Sequence, residues 1–176
     1  MALRIGVFVF FLGLGACTFH PPEPEPAVLP EITMEGLNTF GCTVAGEVYQ
    51  ARGGWTPPVQ SYVSGSRVYL ETWDRELDER FTLVINFYQD PFLMPSGNYH
   101  VFQSGSNQIG LRVQSVVNNP SFEINNIIST DSAVVTVHRL DSISGVFSGE
   151  FRFDALSDNY DTLKVTKGRF DVNLYQ

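Results

Sequence analysis

Residues 81–88 read Phe81-Thr82-Leu83-Val84-Ile85-Asn86-Phe87-Tyr88. In an extended chain successive side chains point to opposite faces, so Phe81, Leu83, Ile85 and Phe87 share one side and Thr82, Val84, Asn86 and Tyr88 the other. A helix would scatter the same residues around its axis. This stretch reads as a strand with one buried face, and its period of two recurs through most of the chain.

Upstream, Ser66 to Trp73 sets Val68, Leu70 and Thr72 against Tyr69, Glu71 and Trp73, and the charged run Asp74 to Arg80 reads as a hairpin connection to Phe81. From Asn38 onward, Cys42, Val44, Gly46 and Val48 alternate with Thr43, Ala45, Glu47 and Tyr49, which reads as a single first strand. The cluster Arg52-Gly53-Gly54-Trp55-Thr56-Pro57-Pro58 ends it. Downstream, short strands are expected near 99–103, 109–114, 122–128 and 133–140. Phe147, Gly149, Phe151 and Phe153 then form one face of a further strand, with Ser148, Glu150 and Arg152 opposite. Asp158-Asn159-Tyr160-Asp161 is a turn, and two closing strands follow, 162–166 and 169–175, with Phe170, Val172 and Leu174 facing one way. Eight to ten short strands joined by polar turns predict an all-β fold, a single antiparallel β-sandwich; the alternative is a small up-and-down β-barrel.

The first residues follow a different rule. Arg4 precedes the apolar run Ile5 to Leu12, and Leu14-Gly15-Ala16-Cys17 follows. One positive charge, a short apolar core and small residues before a cut describe a secretory signal peptide, too short for the roughly 20 residues of a spanning helix. Leu-Gly-Ala-Cys resembles the bacterial lipobox, in which the cysteine thiol receives a lipid and becomes the new N-terminus. The expected organisation is a signal peptide over 1–16, a lipidated Pro-rich tether over 17–34 and an all-β domain over 35–176. Five prolines between Thr18 and Pro30 favour an extended polyproline segment, a stalk reaching roughly 40 Å at about 3.1 Å per residue.

Composition excludes some functions. The chain carries 11 Lys and Arg against 19 Asp and Glu, a net charge of −8, and its cations are scattered. No basic face is available for phosphates, so nucleic acid is not an expected partner. With Cys17 reserved for lipid, Cys42 has no disulfide partner and reads as a small buried apolar residue. No Gly-x-Ser-x-Gly elbow, phosphate loop, His-Glu-x-x-His or Cys-x-x-Cys occurs, so no catalytic residue, metal site or cofactor is assigned. His100 and His138 lie in no recognisable motif. Asp74, Glu76 and Asp78 read as a solvated, self-paired turn. The acids of Ser157 to Asp161 lack the spacing of a calcium loop.

Two aromatic features suggest ligands. Trp55, between glycines and prolines, and Tyr62 are the candidate ligand contacts, since a large ring in a loop on a β scaffold has no strand partner to pack against. Tyr69 and Trp73 would extend that platform for sugar rings, but the favoured expectation puts them on the second face of the core.

Two short motifs bracket the domain. Asn38-Thr39-Phe40-Gly41-Cys42, followed by Val44-Ala45-Gly46, resembles the start of small Bacteroidota lipoproteins of unknown function, and Lys167-Gly168-Arg169-Phe170-Asp171-Val172 resembles that family's closing strands. Where such chains usually read Val-Asn-Gly, this one has Ala45. The resemblance implies an envelope lipoprotein with an all-β domain and no assigned activity. On the residues themselves, Gly41, Gly46, Gly149 and Gly168 suit bulges or close backbone crossings, and Arg169 and Asp171 should pair with charges on a neighbouring strand. The expected function is a monomeric, non-enzymatic binding or structural module. It is anchored by lipid in the bacterial cell envelope, faces the periplasm and has a protein or glycan ligand. The alternatives are a glycan-binding surface lipoprotein and a hydrolase with a loop-built site.

Overall fold

The computed structural model describes residues 25–53, 57–75, 78–87, 89–94, 96–101, 108–116, 126–127, 133–156 and 162–175. Among them run eleven strands: β1 (Thr39–Val44), β2 (Glu47–Gln50), β3 (Val59–Ser64), β4 (Arg67–Asp74), β5 (Glu79–Asn86), β6 (Gly97–Val101), β7 (Gln108–Val116), β8 (Asn126–Ile127), β9 (Val134–Leu140), β10 (Val146–Leu156) and β11 (Thr162–Asn173). The only helical element among the described residues is the 3-10 turn Pro91–Leu93.

The architecture is an antiparallel β-sandwich, as the period of two predicts. One sheet has the order β2-β1-β11-β10-β9-β6, with β8 on the end of β10; the other has β3-β4-β5-β7. β7 joins them, pairing antiparallel with β5 and parallel with β6 at two positions. At the opposite side, the described residues form a single β-bridge between the sheets, Arg52 with Asp74. With no ladder there, the sheets do not close into a barrel.

The inward faces match the alternation read from the sequence. Phe81, Leu83 and Ile85 are fully buried, as are Val68, Leu70 and Phe147. Phe40 sits 5.4 Å from both Phe81 and Phe151, ring centre to ring centre, so the core is a cluster of aromatic rings shared between the sheets.

Several expectations are corrected. The first strand is a hairpin: β1 turns at Ala45-Gly46 into β2, which brings Tyr49 opposite Cys42 on the buried face. Both turn residues have positive φ, 51° and 96°, the geometry whose twist matches a two-residue hairpin. Alanine is strained there, whereas asparagine tolerates the left-handed region. Ala45→Asn should therefore raise stability by about 0.5–1 kcal/mol in denaturant titration; an unchanged midpoint would show that the turn is not under strain.

The two closing strands are one. β11 runs unbroken but carries one extra residue at Thr166–Gly168 against both neighbours, where Phe151 pairs with Gly168 and Phe153 with Val165. Thr166 and Lys167 are consequently both exposed in succession, and that break in alternation imitates a turn. Asp74 is no solvated turn residue: its side chain is buried and its Oδ2 accepts from Arg52 Nε at 3.0 Å. Glu76 and the turn at 158–161 lie outside the described residues. Gly149 and Gly168 make room for rings: a Cβ would meet Phe170 at 2.7 Å and Phe151 at 2.5 Å, respectively.

Candidate functional site

The outer face of the β2-to-β6 sheet is built by three departures from regular pairing. The first is a strap. Residues 25–37 run across the outer face of β2, β1 and β11 towards β9. Gln50 Oε1 accepts from Val28 N at 3.0 Å, Arg169 Nη1 donates to Pro30 O at 2.8 Å, and Arg139 Nη1 donates to Met34 O at 2.9 Å. Arg52 also donates to Glu25 O. Pro30 lies on Gly41, where a Cβ would stand 2.6 Å from its Cδ.

Asp171 is the clasp. Its buried carboxylate accepts from Thr33 Oγ1 at 2.5 Å, Gly36 N at 2.9 Å, Glu35 N at 3.1 Å and Leu37 N at 3.2 Å. The expectation that Arg169 and Asp171 pair with charges on a neighbouring strand is thereby corrected: both hold backbone groups of the strap. The described part of the segment read as a stalk lies on the domain. The two bracketing motifs meet in this device, since Gly41 pairs with Arg169 and Thr39 with Asp171 across β1 and β11.

The other two departures are bulges flanking β10. On one side β11 bulges at Lys167, a non-glycine residue at φ 53°. On the other, β9 has one extra residue, His138, as the register steps from Arg139 opposite Ser148 to Val137 opposite Gly149. Bulges re-aim side chains and cluster beside functional sites. Between them, over Glu150 and Arg152, opens a groove of about 380 Å³ lined also by Asn98, Val134, Thr136 and Lys167. Glu150 Oε2 lies 3.0 Å from His138 Nε2, and Thr136 Oγ1 donates to Asn98 Oδ1 at 2.7 Å. Among the described residues that line it, Glu150 is the one carboxylate.

Cys17 and Trp55 lie outside the described residues. Tyr62 is half exposed on β3 and stacks on Tyr69, with ring centres 4.6 Å apart and planes 6° from parallel; its hydroxyl donates to Glu71 at 3.1 Å. Burial and that carboxylate push the hydroxyl's pKa up. The guanidinium groups of Arg75 and Arg80 lie over the Trp73 ring, 5.2 and 3.7 Å from its centre. Tyr69 and Trp73 thus belong to the outer face of the second sheet, not to the core as favoured above. Each sits between buried neighbours, Tyr69 between Val68 and Leu70 and Trp73 between Thr72 and Asp74, and tyrosine and tryptophan satisfy an outer face as well as a core. Cys42 is fully buried, and burial pushes its thiol far above its ordinary pKa, so it is no nucleophile.

No family model matches this chain, and no curated protein or solved structure does. Its site is therefore argued from its own geometry. Sequence reading had placed Glu150 and Arg152 on the outward side of their strand. It missed the groove because one-residue insertions at His138 and Lys167, which bring β9 and β11 side chains over β10, leave no compositional mark. The adjacent Lys167-Gly168 pair was the available signal.

Proposed function

We propose that this chain is a lipid-anchored module of the bacterial cell envelope that binds a ligand without transforming it, facing the periplasm. The strap carries the reading. Over residues 25–37 it is fixed to the sheet by Arg52, Gln50, Arg169, Asp171 and Arg139. With residues 25–37 fixed to the sheet, a lipid on Cys17 would hold the domain close to the membrane. The resemblance of both motifs to small envelope lipoproteins supports the same address. The Tyr62–Tyr69 pair offers a second surface for a glycan or protein ligand.

Anchoring is tested by Cys17→Ser. The parent should partition into the detergent phase, and the substituted chain should appear as soluble protein or uncleaved precursor. Equal partitioning of the two forms would remove the lipid anchor from the proposal.

A further inference from the structure

We infer that the groove over β10 binds the carboxylate of an acidic sugar. Arg152 and Lys167 are exposed cations on its rim, and neither has a hydrogen-bond or ion-pair partner among the described residues. Two unpartnered cations converging in a chain of net charge −8 mark a place built for a negative group. The planar fork of an arginine matches a carboxylate in bidentate fashion, and lysine adds a point charge beside it.

The remaining groups select among anions. Glu150 lines the same groove, with Oε2 held by His138. A carboxylate there opposes a dianion such as phosphate but accepts from a ligand hydroxyl. The Asn98 amide is oriented by the bond from Thr136 to its Oδ1, which leaves both Nδ2 hydrogens for a ligand oxygen. Val134 adds an apolar wall group. A monoanion ringed by hydroxyls, on a body with one apolar face, satisfies all of these. The groove volume of about 380 Å³ falls at the small end of ligand pockets, roughly 300–1,000 Å³.

Backbone strain points to the same place. Lys167 occupies the left-handed region at φ 53°, which costs a non-glycine residue about 1–2 kcal/mol. Glycine would hold that bulge without strain, so the lysine side chain is retained at a cost to folding, as residues at binding sites often are. The bulge sets it across from Arg152 on β10.

This inference rests on the reading of the chain as a binding module, and one experiment separates the two. The detergent-solubilised full chain is titrated calorimetrically with trigalacturonate, with maltotriose and inorganic phosphate as comparison probes, and the trigalacturonate is recovered and sized. Saturable binding of trigalacturonate alone is expected. Arg152→Gln should weaken it at least about tenfold, the scale of one lost charge-assisted pair. Lys167→Gly should weaken it similarly while raising the unfolding midpoint, an opposition that a purely structural lysine would not produce. Equal binding of maltotriose or phosphate, or binding indifferent to both substitutions, would overturn the site, as would no binding at all. Recovery of shortened sugar would keep the site and overturn the non-enzymatic reading.

Discussion

Gly149→Ala is expected to cost about 4 kcal/mol or more, enough to unfold a domain of ordinary stability. A Cβ at that position would stand 2.2 Å from the Thr136 carbonyl oxygen and 2.7 Å from the Phe170 ring. Ordinary overpacking costs about 1–3 kcal/mol because flexible side chains give way. Here the nearer atom is backbone of the adjacent strand, held by the β9–β10 ladder at its bulge. Relief would require that ladder to part, exposing Phe147 and Phe170, whose rings lie 4.6 Å apart in the core. Denaturant titration of the two proteins measures the difference. A loss below about 1 kcal/mol would mean that the β9–β10 register described here is wrong.

Asp171→Ala should cost about 3–4 kcal/mol and release the strap. The carboxylate accepts four hydrogen bonds, three of them from backbone N–H groups, and a bond to a charged group contributes about 1.5–3 kcal/mol. The full sum is not expected, because residues 33–37 recover water once they lift away. The loss should therefore appear in two measurements: a lower unfolding midpoint, and rapid proteolysis between Val28 and Leu37 in a domain whose strands remain protected. Asp171→Asn should fall between, since an amide presents its own hydrogens to some of those donors. Parent-like protease resistance in Asp171→Ala would show that the strap is held by other means.

What could be read in advance followed from periodicity. The Phe81–Phe87 alternation and the Phe147–Phe153 face both lie where expected, because burial on one side of a pleated strand constrains every second residue. Features that insert a residue escaped the same reasoning. The extra residues at His138 and Lys167 shift the period by one, which turned β11 into two strands and hid the groove between the bulges. The Ala45-Gly46 turn escaped because alanine is a poor advertisement for positive φ; the asparagine usual at such a turn would have marked it. Tyr69 and Trp73 were ambiguous for a chemical reason, since an amphipathic ring fits either a core or a wetted face. The proline content of residues 18–30 pointed to an extended stalk. It said nothing of what lies beneath, because the strap is held chiefly through its backbone groups, which every sequence possesses.

The strap also decides how the domain would bear a mechanical load. A pull at residue 25 does not reach β1 directly. It is taken up first at Arg52, Gln50 and Arg169, then by the four bonds converging on Asp171, and only afterwards at Asn38, whose Oδ1 accepts from Asn173 N at 2.9 Å. β1 is thereby shielded from being unzipped off β11 one hydrogen bond at a time. Tension is spread over β2, β11 and β9, so the strap behaves as a fuse that yields before the sheet does and can re-form when the force falls.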